Sequence, residues 1–333
     1  MYRIGVTFVY YPNDIEECCY DQAHIEWVTA EIRSNFHSYF SNFLETNSGH
    51  VISSEVAAQL AQNLGATVAI KKRSQMDVAK RLKTILAEGI KDFERDRQSY
   101  LDIMDEESLE EHSDDPSYFK NKVLRDRCPI IHSTLHAKTV KELDKYRAEF
   151  SRADANELLD VITNLNEFAR RYMDDVYDPD TYDSVSGLDE LAVSELLEDE
   201  FIVYGVIGGG IKSHFLYKLF PQAFPNRSRE AVWALWYLSG KKTFGCTQDS
   251  EFLMIDTKNI ITQQNFFYPY DLFVYYSFQI YLLLKTEANK IGCYINPEYK
   301  YVMVDSFLSF VARCHSEETA ILKSNIREDG HGY

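Results

Sequence analysis

Residues 201–242, FIVYGVIGGGIKSHFLYKLFPQAFPNRSREAVWALWYLSGKK, decide how this chain is read. The segment opens on an apolar run, Phe201 to Ile207, and crosses three glycines, Gly208 to Gly210. It then enters a stretch of helical period led by Lys212 and Ser213. A second apolar helix follows behind Asn226-Arg227-Ser228. Glycine accepts backbone conformations that other residues avoid, so the triplet predicts a tight corner between helices. The segment is also a basic island. Lys212, Lys218, Arg227, Arg229, Lys241 and Lys242 stand against the single acid Glu230, in a chain whose formal net charge is −17.

That contrast bounds the function classes. A strongly acidic chain repels a polyanion, so any nucleic-acid contact has to be local, and the island is where it would be. With 333 residues, 45% hydrophobic and 14% aromatic, the chain can bury a substantial core and is not globally disordered. Cys18, Cys19, Cys128, Cys246, Cys293 and Cys314 include no CxxC pair, which reads as reduced thiols in a cytoplasm. No Cys/His quartet of zinc-site spacing is present, and no metal is expected. The opening MYRIGVTFVYY lacks the basic start of a signal peptide. The longest apolar run, Leu272 to Leu284, is too short to span a bilayer and contains Gln279, so no membrane role is expected.

Outward from the island, Tyr2 to Tyr11 reads as a strand ending at Pro12-Asn13-Asp14. Apolar residues at helical spacing from Gln22 to Leu44 (Ile25, Val28, Ile32, Phe36, Phe40, Phe43) predict an amphipathic helix. Ser54 is expected to cap a short helix stopped by Gly65, and Ser74 a longer one striped by Val78, Leu82, Ile85, Leu86, Ile90 and Phe93. The acidic run DEESLEEHSDD, Asp105 to Asp115, reads as a solvated helix end, because calcium-loop spacing is missing. Thr139 to Val176 is expected to be one long helical segment. The turn-rich DDVYDPDTYDSVSG, Asp174 to Gly187, reads as a linker and sets the domain boundary. Beyond the island, Thr243 to Lys258 suggests a hairpin of KTFG with EFLMIDTK. Tyr270 to Lys285 suggests an aromatic helix, YKYVMVD (Tyr299 to Asp305) a short strand, and Ser306 to His315 a helix. The expected fold class is therefore α+β, predominantly helical, with a small C-terminal β-hairpin or sheet. The expected domains are 1–177, 188–318 and a fraying tail, 319–333.

Three phosphate-binding patterns compete at the glycines. A P-loop needs glycine directly before its lysine, and Ile211 intervenes. A dinucleotide turn needs a third glycine where Ser213 stands. GGGIKSHFL, Gly208 to Leu216, resembles the helix-hairpin-helix of DNA-repair glycosylases and related proteins. The resemblance implies a first helix over Leu191 to Ile207 and a second over IKSHFLYKLF. Backbone amides at the second helix's start, with Lys212, would then meet a DNA phosphate. That family's catalytic aspartate has no counterpart in Phe224-Pro225-Asn226-Arg227-Ser228, so the resemblance implies backbone binding without glycosylase chemistry.

Asp256-Thr257-Lys258 resembles half of the restriction-type nuclease motif, in which a carboxylate holds Mg²⁺ and a lysine orients water. Asp249 and Glu251 are the nearest upstream acids. Arg127 to His132 fits the Arg-x4-His pattern of HEPN ribonucleases, with Cys128 and Pro129 departing from it. His24, His37, His112, His136 and His315 read as surface or satisfied core side chains. Tyrosines of Phe266 to Leu284 are candidates for a base-stacking platform. Together these give a nucleic-acid-associated protein gripping the phosphate backbone through Gly208, Gly210, Lys212, Ser213, Lys218, Arg227, Arg229, Lys241 and Lys242. The acidic N-terminal half is then left to a protein partner. The alternatives are a non-catalytic assembly or regulatory subunit, and a nuclease using Asp256 and Lys258 with Asp249 or Glu251. No cofactor is expected apart from Mg²⁺ in that last case.

Overall fold

A computed structural model of the chain describes residues 19–45, 75–242, 244, 252–256, 261–264 and 268–324. The expected strand at Tyr2 to Tyr11, the Ser54 helix and the Ser74 cap lie outside the described residues. The first described long helix is α1 (Gln22–Glu45), and it buries Ile25, Val28, Ile32, Phe36, Phe40 and Phe43, the stripe its spacing announced. Helix α2 (Gln75–Ile103) follows, then α3 (Glu106–His112), capped by the Asp105 carboxylate on the Ser108 amide. A single turn, Pro116–Tyr118, runs into a π-turn, Phe119–Leu124, and α4 (Pro129–His136) starts on its proline.

The expected long helix from Thr139 to Val176 is broken in two, α5 (Asp144–Arg152) and α6 (Ala155–Asp175). Asp154 explains the break: its carboxylate accepts the amides of Asn156 at 2.8 Å and Glu157 at 3.3 Å, which starts a new helix. After α6 come four short 3₁₀ turns, Tyr182–Ser184, Asp189–Leu191, Ser194–Leu197 and Asp199–Phe201. The island forms α7 (Gly209–Leu219) and α8 (Arg229–Leu238). Two four-residue strands, β1 (Leu253–Asp256) and β2 (Ile261–Gln264), pair antiparallel. The chain closes with α9 (Tyr270–Lys290), α10 (Lys300–Cys314) and α11 (Ser316–Ser324).

The fold class is accordingly corrected from α+β to helical. Of the hairpin expected between KTFG and EFLMIDTK, Thr243 and residues 245–251 lie outside the described residues; the four-residue β1 pairs with β2, and no sheet layer covers the core among the described residues. YKYVMVD is not a strand but the start of α10. Its period-two alternation of aromatic and β-branched residues is overridden by tertiary packing. Tyr301, Val302, Met303 and Val304 are all buried, so the helix hides more than one face.

Helices α8, α9 and α10 form the centre, with α1 laid across all three and α2 packed on α7 and α10. Every residue of α8 from Ala231 to Leu238 is buried, the mark of a core helix. Each large side chain buried there contributes about 1.5–3 kcal/mol. One contiguous apolar cluster runs from Cys19 to Val311, so the stretch expected as a linker does not separate two cores. Tyr182 within it is buried, and its hydroxyl meets that of Tyr301 at 2.8 Å. The tail expected from residue 319 begins inside α11, where the Thr319 hydroxyl meets that of Tyr237 at 2.8 Å. No described helix is long and apolar enough to cross a membrane.

Candidate functional site

The segment Leu191 to Ile207 does not form the first helix that a helix-hairpin-helix needs. It is broken into the 3₁₀ turns and a narrow loop in which Val203 bridges Ile207. Gly205 turns that loop at φ +77°, a left-handed conformation that a side chain would strain. At the second corner Gly209 is needed for a different reason. A Cβ there would lie 2.7 Å from Nη1 of Arg227, so the missing side chain is what lets the guanidinium in. The start of α7 therefore faces the chain's own arginine.

Half of the island's six cations, Lys212, Lys218 and Arg227, are inside the molecule. Lys212 is 2% exposed and donates to the carbonyl oxygen of Leu196. Burial, then Arg227 nearby, pulls its ammonium down to about 8. Lys218 is 4% exposed; its Nζ donates to the Phe93 carbonyl at 2.7 Å and the Asp96 carboxylate at 2.6 Å, and lies 4.6 Å from the centre of the Phe93 ring. Arg227 is 3% exposed, and burial lowers its guanidinium to about 10, so it stays charged at neutral pH. Ser213 is buried too. Its hydroxyl donates to the Gly210 carbonyl and accepts the Arg227 amide at 3.0 Å, which ties α7 to the segment before α8.

At the outer end, Lys241 pairs with Glu318 at 2.6 Å and Lys242 with Glu31. Of the nine residues expected to meet a phosphate backbone, Lys212, Ser213, Lys218 and Arg227 are thus buried and engaged. Gly208, Arg229, Lys241 and Lys242 are exposed, and Gly210 is partly covered. The correction has a simple cause. Phe215, Leu216, Tyr217 and Leu219 of α7 are buried together with Lys212, Ser213 and Lys218, so its lysines enter the core with the helix.

Behind the island a polar chain crosses between elements. The Ile130 amide donates to the Tyr100 hydroxyl, which donates to Nε2 of His214 at 3.1 Å. Nδ1 of His214 donates to Oδ1 of Asn226, whose Nδ2 donates to Asp305 at 3.1 Å. Burial, then the charge of Lys218, holds His214 down at about 4, so it is neutral here. Burial pushes the Asp305 carboxyl up to about 6, with Glu230 adding to the rise.

The nuclease candidates are not brought together among the described residues. Asp256 ends the backbone pairing of β1 opposite Ile261, while Asp249, Glu251 and Lys258 lie outside the described residues. Arg127 and His132 are both exposed, with Arg127 directed to the Tyr118 hydroxyl. The tyrosines of the expected stacking platform, Tyr270, Tyr275, Tyr276 and Tyr281, are buried in α9. In the acidic run at Asp105 to Asp115, Glu106 of α3 pairs with Arg170 of α6 at 2.8 Å.

No protein-family model, curated protein or solved structure matches this chain. The acidic stretch before the island is a further signal in the sequence. From Tyr172 to Ile211 there are eleven carboxylates and no lysine or arginine. Among them Asp174, Asp175, Asp178, Asp189, Glu190, Glu195, Glu198, Asp199 and Glu200 are exposed. The last turn of this stretch, Asp199–Phe201, packs on α6, which also carries α3 with Glu107, Glu110 and Glu111 exposed, while the turns at Asp189–Leu191 and Ser194–Leu197 pack on α9. Within the acids, Leu197, Val176 and Tyr204 are exposed apolar groups, Tyr204 at 64%.

Proposed function

We propose that this chain is an assembly or regulatory subunit whose acidic face, built along α6, docks a basic surface of a protein partner. The observation that carries the reading is where the charges go. The island's buried cations are engaged with the chain's own groups, and the outer pair Lys241 and Lys242 with its own carboxylates, so the excess negative charge faces outward. Complementary charge speeds encounter and fixes register, while exposed apolar groups inside the charged field supply contact area. Leu197 and Tyr204 stand among Glu195, Glu198, Asp199 and Glu200 in that arrangement. The nucleic-acid reading has less support, because Lys212, Lys218 and Arg227 are unavailable to a phosphate.

A titration across salt concentrations tests it. A fluorescent Lys/Arg-rich peptide carrying leucines, and a duplex DNA of equal charge, are each mixed with the full chain. The peptide is expected to bind with salt-weakened affinity, and the Glu198→Lys, Asp199→Lys, Glu200→Lys variant to lose it. DNA that binds while the peptide does not would overturn the proposal.

A further inference from the structure

Helix α4 carries a pair of histidines on its exposed side. His132 and His136 are four residues apart, a His-x3-His spacing that puts both imidazoles on one helical face. Both are exposed, and their ring centres are only 4.0 Å apart with planes at 24°. Nδ1 of His136 lies 2.8 Å from the His132 carbonyl oxygen. A carbonyl can only accept, so that nitrogen carries the proton and Nε2 is left with its lone pair outward. This is the arrangement in which a metal-binding imidazole is oriented by a backbone carbonyl. The helix under the pair is held firmly. Arg147 of α5 donates to the carbonyls of Ala137 at 3.3 Å and Val140 at 3.0 Å, just past its end, and Thr134 donates to Ile130 at 2.7 Å.

We propose that His132 and His136 form a two-histidine site for a divalent transition ion of the zinc and copper class. Imidazole nitrogen is a borderline ligand that suits these ions and not the oxygen-seeking calcium or magnesium. Among the described residues no group of three His, Cys, Asp or Glu gathers, so water completes the coordination and the ion exchanges freely with solvent. Stacked rings hold their Nε2 lone pairs side by side, so closing both onto one ion turns the side chains out of the stack and loosens the His136 contact to the His132 carbonyl; both rings are exposed, and the core is not repacked. The chain's net charge of −17 raises the local concentration of any cation.

The test titrates the full chain with ZnCl2 and separately with CuSO4 in a buffer that does not chelate, by calorimetry. Wild type is compared with His132→Ala, His136→Ala and the control His37→Ala, an exposed histidine on α1. One ion per chain is expected, with binding weakened about tenfold or more by either α4 substitution and unchanged by the control. The copper form is expected to show coupling to two nitrogens by electron paramagnetic resonance, and His132→Ala coupling to one fewer. Equal isotherms for wild type and the α4 variants, or no uptake by the wild type, would overturn the site. Unfolding midpoints of the metal-free variants equal to wild type exclude loss of fold as the cause.

Discussion

The basic island and the acidic run before it are neighbours in sequence and opposites in fate. In the island, lysines are spaced among residues that leave no polar face, so α7 sinks into the core and takes Lys212 and Lys218 along. In the run from Tyr172 to Ile211, acids alternate with single apolar anchors such as Tyr182, Leu191, Leu196 and Phe201. There the anchors are buried and most of the carboxylates stay in water, Asp183 excepted, which is partly buried and pairs with Lys285 and Lys300. Charge density along a chain does not tell where the charge ends up. The angular distribution of the apolar residues around it does.

Substitutions sharpen the contrast. The largest effect is expected at Arg227. Arg227→Ala removes a fully buried guanidinium and leaves its contacts unmade, and should cost about 3 kcal/mol in urea unfolding. A change within the range of surface substitutions would break the claim of burial. Lys218→Ala should cost about 2 kcal/mol, because the Phe93 carbonyl loses its donor and Asp96 its counter-charge. At the island's exposed end, Lys241→Ala and Lys242→Ala should stay within about 0.5 kcal/mol, since both pairs are solvent-screened.

Between these lies a pH effect. The carboxyl of Asp305 is raised in the fold, so the folded state prefers it protonated. That contribution is full below its unfolded value and lost as pH rises through about 6. Asp305→Asn should therefore stabilise the protein by about 1 kcal/mol at pH 7.5 and by less at pH 4. His214 runs the other way: its lowered value gives stability that is present above its ordinary range and lost as pH falls through about 4. Denaturation of Asp305→Asn across pH should expose that acid-side loss. A profile parallel to wild type would show that the Asp305 carboxyl is not raised in the fold.

Legibility in the sequence followed the same physics. Helix α1 could be read to the residue because only one face is buried, and apolar spacing then reports it directly. The helix expected over Ser306 to His315 is the later part of α10, and only its start was read as a strand, because Tyr301 to Val304 are buried whatever way they point, which erases the period; the Asn296-Pro297 start upstream was the better signal, with Asn296 accepting the Glu298 amide. The split at Asp154 was legible as an N-cap and was overlooked in favour of continuity of the stripe. At the island, residue types were read as a surface pattern although IKSHFLYKLF has no polar side. Its partners Asp96, Glu31 and Glu318 come from distant parts of the chain, and no local motif points to them.

The central claim is that the island's inner cations face inward. Brief labelling of the native chain with an amine-reactive reagent, read lysine by lysine in a mass spectrometer, tests it most directly. Lys212, with its lowered ammonium value, would react fast if it were reachable, so slow labelling can come only from burial. The account predicts that Lys212 and Lys218 stay unmodified while Lys122, 61% exposed, and Lys241 and Lys242 are labelled. Labelling of Lys212 and Lys218 at the rate of Lys122 would contradict it.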